Sequence, residues 1–236
     1  MRKLAVIIPA AGAGTRMKSY GPKCLISVNG ETLLSRQVRM IRKTFAQHPD
    51  FDEVEITVVL GYREAYISRK VPSGVGTAVS KDFENTNVAH SIHEGMKANQ
   101  ADATLIVMGD LFFSATALRP FLRMSESSVL VDTFSNFKKD EVGITTHGED
   151  VQHFCYGIHD KKWGQIAFLT GLEQHLFFEI SKSPSSSRMF AFEVLNVVLK
   201  DERTSLLALE PKKLVMAEFD TPKDLKEALT GGVVRC

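Results

Sequence analysis

Residues 6–25 read VIIPAAGAGTRMKSYGPKCL: an apolar run, then tiny side chains, then two cations. The apolar character extends over residues 3–9 without the alternation of a half-exposed strand, which is typical of a parallel strand covered on both faces. Residues 10–14 carry at most a methyl group, so backbone N–H groups there can surround an anion as a concave nest. Arg16 and Lys23 add a planar guanidinium and a mobile ammonium, and both suit phosphate. The stretch therefore predicts a phosphate-binding loop at the carboxyl end of a buried strand.

Two common phosphate-binding motifs do not match this loop. The dinucleotide fingerprint needs a third glycine at position 17, where the chain has Met17. The P-loop needs Gly-Lys followed by Ser or Thr, and the sequence does not contain that triplet. A glycine-containing turn with two solvated cations is the structural alternative. The combination of the strand, Ala-Ala-Gly-x-Gly-x-Arg and Pro-Lys favours phosphate binding over that alternative.

Composition limits the classes of partner. The 236 residues carry a formal net charge of +1, so no global basic field favours nucleic acid. No apolar run approaches membrane-spanning length. The three cysteines, an odd number, lack metal-ligand spacing, which suits a reducing compartment better than a disulfide framework. We therefore expect a cytoplasmic protein that binds neither nucleic acid nor a membrane.

Strands and helices alternate through the first half of the chain. Leu34, Val38, Ile41 and Phe45 recur at helical spacing and predict an amphipathic helix. This rhythm of strand and helix means βαβ units in a Rossmann-like α/β fold, with a mostly parallel mixed sheet flanked by helices. Further strands are predicted at residues 54–60, 77–80 and 103–108, and helices at residues 64–70 and 88–99.

The second half of the chain has a different sequence pattern, in which turn residues separate short predicted strands. This pattern predicts a small antiparallel flap inserted into the fold rather than a separate domain. We expect one domain, residues 1–236, with a nucleotide-binding half at 1–125, an acceptor-binding part at 126–213 and a closing strand and helix at 214–236. The short strands are expected at residues 129–133, 142–146, 151–157 and 165–169, helices at 170–182 and 189–200, and a final strand at 214–219.

Two aspartates follow apolar strands and form a candidate metal site. Asp110 ends LIVMGD and Asp220 ends VMAEFD, so both should emerge at the sheet edge that carries the glycine-containing loop. Mg²⁺ is usually bound by one or two carboxylates together with phosphates and water. The structural alternatives are a strand-ending turn for Asp110 and a helix N-terminal position for Asp220. The presence of both carboxylates beside the loop favours a Mg²⁺ site.

The string AAGAGTRM followed by PK resembles the signature of the GT-A-like nucleotidyltransferases that make CDP-, UDP- or dTDP-linked compounds. The spacing from Arg16 to Lys23 is similar to that of the methylerythritol-phosphate cytidylyltransferases. The resemblance implies that the loop wraps a triphosphate and that Arg16 and Lys23 are catalytic. By this resemblance, Gly12, Gly14, Thr15, Arg16 and Lys23 bind the nucleotide. The nest of backbone N–H groups adds Ala10, Ala11 and Ala13 to the predicted nucleotide-binding residues.

Two later segments resemble a second group of the same superfamily. Gly109-Asp110 and the string FDTPKDL at residues 219–225 are similar to the metal-binding pair of the sugar-phosphate and choline-phosphate nucleotidyltransferases. The string FENTNVAHSIHEGM at residues 83–96 resembles the choline-phosphate type. That likeness implies contacts from Asn87 and Ser91 to the base or phosphates.

Together the resemblances imply Mg²⁺-dependent transfer of a nucleotidyl group from an NTP to a phosphorylated acceptor, with release of pyrophosphate. Both of the nearest resemblances, the methylerythritol-phosphate type and the choline-phosphate type, use CTP. They therefore favour CTP and a phosphocholine-like acceptor. Two alternatives stay open: a sugar-1-phosphate nucleotidyltransferase that uses UTP or dTTP, and a non-catalytic nucleotide-binding regulatory module.

Acceptor binding falls to the second half of the chain. Tyr156, Trp163 and Phe168 could form an aromatic cage for a quaternary ammonium, and Arg188 could hold the acceptor phosphate. Glu193 could reach the site from its helix. The alternatives are core aromatics of a small sheet, a solvated loop and a helix surface, respectively. A homodimer contact through the flap is also left open.

Overall fold

The computed structural model describes residues 1–133, 140–157, 159 and 161–230. The predicted acceptor-binding part and closing segment therefore lie partly outside the described residues. The strands are β1 Lys3–Pro9, β2 Ser27–Val28, β3 Glu31–Thr32, β4 Glu53–Leu60, β5 Gly76–Val79, β6 Ala103–Val107, β7 Leu111–Phe113, β8 Ser128–Asp132, β9 Val142–His147, β10 Asp150–Tyr156, β11 Lys161–Thr170, β12 Leu207–Leu209 and β13 Met216–Glu218. The α-helices are α1 Leu33–Phe45, α2 Glu64–Ser68, α3 Val88–Ala98, α4 Ala115–Leu118, α5 Gly171–Lys182, α6 Ala191–Val198 and α7 Pro222–Thr230.

The main sheet has nine strands within the described residues, in the order β5-β4-β1-β6-β11-β8-β12-β10-β9. β4, β1 and β6 are parallel neighbours, with β5 parallel at the edge. β11 runs antiparallel to β6 and begins the mixed part of the sheet. Side chains from Leu4 to Ile8 in β1 are fully buried, as the unbroken apolar run predicts. The predicted α/β fold with a mixed, helix-flanked sheet is confirmed.

Two of the helices that flank the sheet, α1 and α3, follow polar residues that cap them. Thr32 precedes α1, and its hydroxyl oxygen accepts a hydrogen bond from the Ser35 N–H at 3.2 Å. Asn87 precedes α3, and its side-chain oxygen accepts from the Val88 N–H at 2.8 Å. α3 packs directly on β1, β4 and β5, which fixes the helix N-terminus near the carboxyl ends of these strands.

The second half of the chain was predicted to form a small antiparallel flap, and the structure shows how these strands join the main sheet. The four short strands are present as β8 to β11, and β9, β10 and β11 pair antiparallel. They are continuous with the main sheet because β11 begins at Lys161 rather than at residue 165, long enough to pair with β6, β8 and β9.

The final strand is shorter than predicted and lies outside the main sheet. β13 covers three residues, Met216–Glu218, and pairs antiparallel with β7 in a small sheet of its own. β7 and β12 are also three residues long, too short for a sequence pattern to reveal them. Among the described residues, no helix has both the length and the apolar character needed to cross a bilayer.

Candidate active site

A cleft of about 590 Å³ opens beyond the carboxyl ends of β1 and β6, where ligands bind in open α/β sheets. Most of the residues predicted for the site line this cleft. They are Ala10, Ala11, Gly12, Gly14, Thr15, Arg16, Lys23, Asn87, Ser91, Asp110, Tyr156, Trp163 and Asp220. Three predicted residues, Ala13, Arg188 and Glu193, are not among the described residues that line it.

The loop after β1 leaves backbone donors available. Gly14 adopts a left-handed conformation with φ of 57°, which glycine tolerates without steric cost. A 3₁₀ turn, Thr15–Tyr20, follows, and the fully buried Met17 anchors it, with its N–H donating to the Gly14 carbonyl at 2.9 Å. Over the described residues, no hydrogen bond has the N–H of Gly12, Ala13, Gly14 or Thr15 as its donor. The loop therefore has the free amides that an anion nest requires.

Asp110 reaches the loop because β1 and β6 end in close contact. A Cβ at Gly109 would lie 2.6 Å from the Pro9 carbonyl oxygen, so this approach of the two strand ends requires a glycine. The Asp110 backbone also holds the second aspartate segment, since its carbonyl accepts from the Phe219 N–H at 3.1 Å. β7 and β13 then pair immediately beyond Asp110.

The four charged residues predicted for catalysis and metal binding form one ion-pair cluster. The Lys23 ammonium lies 2.9 Å from an Asp110 carboxylate oxygen and also contacts the Asp220 carboxylate. The Arg16 guanidinium lies 3.0 Å from the other Asp220 oxygen. Arg16 is mostly exposed, whereas Lys23 and the two aspartates are largely enclosed by the cleft wall.

This environment favours the charged form of Lys23. Burial alone pulls the Lys23 pKa down, but the carboxylates of Asp110 and Asp220 more than offset that effect, and the pKa is raised. The ammonium therefore acts as the counter-ion of the two aspartates. An incoming triphosphate would offer Lys23 other anionic oxygens and free carboxylate oxygens of Asp110 and Asp220.

Glu218 lies beside Asp110 and Asp220 and was not predicted from the sequence. One oxygen from each of Asp110, Glu218 and Asp220 lies within 4.8 Å of the others. Burial raises the pKa of Glu218 to about 8, and the charges of Asp110 and Asp220 add to that shift. Glu218 is the last residue of β13 and stands two residues before Asp220. This spacing was the available signal, because residues i and i+2 of an extended chain would face the same side.

These residues fit a divalent cation. Carboxylate oxygens are the ligands that Mg²⁺ prefers, and three of them converge within the described part of the chain. A bound cation would also favour the ionised form of Glu218, because metal binding displaces protons from ligands. The fit rests on donor chemistry and convergence.

Asn87, which caps α3, and Ser91, which lies in α3, both line the cleft. Asn87 has structural partners: its side-chain NH₂ donates to the Arg188 carbonyl at 3.3 Å in addition to the capping contact. Phe83 and Thr86 line the same region and were not predicted. The roles of Asn87 and Ser91 toward the nucleotide stay predictions.

Part of the cleft wall is aromatic. Tyr156 is 52% exposed and packs edge-on against Phe192, with ring centroids 5.2 Å apart. Phe190 stacks on Phe192 at 5.9 Å, and neither phenylalanine was predicted. Trp163 is only 4% exposed and packs edge-on against Phe154, so it occupies a core position at the cleft wall. Phe168, the third aromatic residue predicted for the cage, is buried in the core against Phe51 and is not among the described residues that line the cleft.

Glu193 and Arg188 have other surroundings. The Glu193 carboxylate accepts from the Phe190 N–H at 2.7 Å, which caps the N-terminus of α6. Arg188 is exposed, and its carbonyl is the acceptor for Asn87. Their predicted contacts with an acceptor stay predictions.

Comparison with known proteins places this architecture among nucleotide-transferring enzymes. The sequence matches the family described as the MobA-like NTP transferase domain over residues 6–173. It is 32% identical over 115 residues to the bifunctional protein GlmU of Lactococcus lactis subsp. cremoris, covering 47% of this chain and 22% of GlmU. The chain thus spans about a fifth of the length of such curated relatives.

Solved structures share the fold at low sequence identity. The CTP:phosphocholine cytidylyltransferase LicC of Streptococcus pneumoniae superposes with a TM-score of 0.74 at 16% identity, covering 96% of this chain and 97% of LicC. The inositol-1-phosphate CTP transferase of T. maritima gives 0.76 at 17% identity over 100% and 95% of the two chains. A UDP-glucose pyrophosphorylase gives 0.77 at 13% identity over 100% of both chains. At these identities the likeness establishes the fold alone.

Proposed function

The chain belongs to the family of the MobA-like NTP transferase domain, and we propose that it is a Mg²⁺-dependent nucleotidyltransferase that transfers CMP from CTP to a small phosphorylated alcohol. The observation that carries this proposal is the position of Lys23. It bridges Asp110 and Asp220 beside a loop with free backbone amides. Anion donors, two cations and metal-binding carboxylates are thus available within one cleft, as transfer from a triphosphate requires.

The reaction is an in-line displacement at the α-phosphorus. A phosphate oxygen of the acceptor forms the new bond, the bond from the α-phosphorus to the bridging oxygen breaks, and pyrophosphate leaves with the electron pair. A phosphate monoester is largely dianionic at neutral pH, so no general base is needed. Arg16 and Lys23 neutralise charge on the transferring and leaving phosphates, and the loop amides orient them. When bound by Asp110 and Asp220, Mg²⁺ supplies Lewis-acid stabilisation of the same charge.

The two parts of the chain divide the substrates. Residues 1–125 hold the triphosphate and the base, with Asn87 and Ser91 at the base end of the cleft. Residues 126–213 hold the acceptor, and the segment from residue 214 closes the site with Asp220. The proposed cytoplasmic location agrees with the free thiols of Cys24 and Cys155.

The acceptor end of the cleft suits a cationic head group. Tyr156, Phe190 and Phe192 present aromatic faces and edges to the cleft. The face of an aromatic ring attracts an ammonium group. These rings support an amino-alcohol phosphate such as phosphocholine, which would place its ammonium there and its phosphate toward Lys23.

A second candidate function is a sugar-1-phosphate nucleotidyltransferase that uses UTP or dTTP. Its support is the likeness to a UDP-glucose pyrophosphorylase and to a putative glucose-1-phosphate thymidylyltransferase from Bacillus anthracis, the latter with a TM-score of 0.76 at 15% identity. The third candidate is a regulatory module that binds nucleotide without turnover.

One assay separates the three. The protein is incubated with Mg²⁺, each of CTP, UTP and dTTP, and a panel of amino-alcohol phosphates and sugar-1-phosphates, and pyrophosphate is measured. We expect release with CTP and an amino-alcohol phosphate. Release only with UTP or dTTP and a sugar phosphate would replace the first proposal by the second. Nucleotide binding without pyrophosphate release from any pair would favour the regulatory module.

A further inference from the structure

Strand β11 contains an irregularity that faces the cleft. Its register against β8 shifts between Trp163 and Ala167, while its pairing with β6 from Ile166 onward is regular. Gln165, inside the shift, has a φ of 56°, in the left-handed region that residues other than glycine seldom adopt. β-bulges often re-aim a side chain beside an active site, and backbone strain persists where the surroundings hold it.

The surroundings hold Gln165 from two directions. Its carbonyl accepts from the Met108 N–H at 3.4 Å, which ties the bulge to the segment that leads into Asp110. Its side-chain NH₂ donates to the Glu218 carboxylate. The bulge thus connects the segment between β6 and Asp110 with β13, which carries Glu218.

Glu218 is held beside the aspartates from the other side by β13. It pairs with Leu111 of β7, and the following Phe219 N–H bonds the Asp110 carbonyl. Its carboxylate then lies within the set that includes Asp110 and Asp220. Lys23 and Arg16 contact the aspartates, whereas the contact from Gln165 to Glu218 is that of a neutral amide. A neutral donor orients a carboxylate without cancelling the charge that a metal ion would use.

We propose that Gln165 is a positioning residue of the metal centre, whose amide holds the Glu218 carboxylate against Asp110 and Asp220 so that Glu218 serves as a third ligand of the divalent cation. The inference rests on the proposed function, because it needs a metal at this cluster. It goes beyond the two-aspartate site by adding one ligand and the residue that orients it. Partners in the second shell of metal sites commonly change metal affinity by about 10- to 100-fold when removed.

The test measures Mn²⁺ bound to the protein by electron paramagnetic resonance, in the presence of α,β-methylene analogues of CTP, UTP and dTTP. Gln165→Gly removes the amide, and glycine accepts the left-handed φ without strain. We expect Mn²⁺ binding to weaken about 10-fold or more in Gln165→Gly and in Glu218→Gln. The double variant should bind no more weakly than Glu218→Gln alone, because the two residues act through one contact.

Two further variants guard against a fold defect. Gln165→Asn also tolerates the left-handed region, and its shorter stem withdraws the amide from Glu218, so it should weaken Mn²⁺ binding as well. The matched control is Gln174→Ala, which removes another glutamine amide, bonded to the Ala101 carbonyl at 2.8 Å outside the cleft, and should leave Mn²⁺ binding unchanged. Thermal melts check that each variant is folded.

Three results would overturn the inference. Wild-type Mn²⁺ affinity in both Gln165 variants would remove Gln165 from the centre. Effects of Gln165→Gly and Glu218→Gln that add in the double variant would show that they act separately. A wild-type protein that retains no Mn²⁺ with any analogue would end both this inference and the proposed function, whereas the first two results leave the proposed function standing.

Discussion

Lys23 carries an ammonium group that contacts two carboxylates and is also proposed to bind phosphates. Its ammonium contacts Asp110 and Asp220, which compensate its burial and raise its pKa. The same ammonium is proposed to move to the phosphates when a nucleotide arrives. The prediction that Lys23 binds phosphate came from the Pro-Lys dipeptide that follows the loop. Its pairing with two aspartates distant in sequence became visible only in the folded chain.

Replacing Lys23 tests its catalytic role. Lys23→Ala should reduce kcat by about 100- to 1,000-fold, the cost typical of removing one charge-stabilising donor. The fold should stay intact when Mg²⁺ is present, because the cation compensates the aspartates that Lys23 leaves behind. Steady-state pyrophosphate release and a thermal melt with Mg²⁺ measure the two quantities.

Lys161→Ala is the matched control for Lys23→Ala. Lys161 lies 3.8 Å from Glu210 in an ion pair that does not line the cleft, so its loss should leave kcat near the wild-type value. Wild-type kcat in Lys23→Ala would remove Lys23 from the mechanism.

At the scale of elements, helix α6 gives Glu193 a role in the fold. Its carboxylate bonds the backbone N–H of Phe190 at the helix start, which is half of a capping box. This helix also carries Phe192, which packs against Tyr156 in the cleft. The cap therefore supports the aromatic wall, and the contact of Glu193 with an acceptor stays a prediction.

Glu193→Ala should lower the free energy of unfolding by about 1 kcal/mol, the usual cost of losing a helix cap. Glu193→Gln keeps an oxygen acceptor and should restore most of that loss. Urea unfolding measures the stability of both variants. We expect the KM for the acceptor to stay within about twofold of wild type in Glu193→Gln. A 10-fold rise in that KM would indicate that Glu193 contacts the acceptor.

β11 and β13 carry Gln165 and Glu218, two residues of the cleft that were not predicted from the sequence. Alternation and apolar content indicated residues 165–169 and 214–219 as strands, and both regions do contain strands. The pattern could not show that the first carries a bulge or that the second pairs with β7 outside the main sheet. Pairing partners and bulges depend on contacts between segments far apart in the chain.

At the scale of the whole molecule, α3 and α5 meet on one side of the sheet around a buried histidine. The His93 Nδ1 donates to the Phe178 carbonyl at 3.2 Å, and the rings lie 4.4 Å apart. Burial lowers the His93 pKa from its ordinary value of 6.5, and His90 and Lys97 act in the same direction, against the hydrogen bond to Phe178 and the charge of Glu94.

This lowered pKa predicts that the protein is less stable in acid. Below pH 6.5 the unfolded chain takes up the His93 proton before the folded chain does, so the free energy of unfolding falls as the pH drops towards the folded pKa. Urea unfolding between pH 8 and pH 5 measures the slope. In His93→Asn the side-chain NH₂ can replace the Nδ1 donor without titrating, so the slope should be shallower.

A matched comparison comes from His48, whose pKa is also lowered, chiefly by burial. His48→Asn should reduce the slope independently, and the two effects should add because the residues lie in different parts of the core. An unchanged slope in both variants would contradict the assignment of the acid sensitivity to these histidines.

The sequence by itself determined the α/β fold, the buried first strand, the loop of tiny residues and the positions of Arg16, Lys23, Asp110 and Asp220. These features are local, since each depends on side-chain size, hydrophobic period or the residue that ends a strand. The tertiary structure decided how the flap joins the main sheet, which aromatic rings line the cleft, and that Gln165 and Glu218 meet. Those contacts join segments whose pairing has no signature in a single sequence, because it is set by packing of the whole chain.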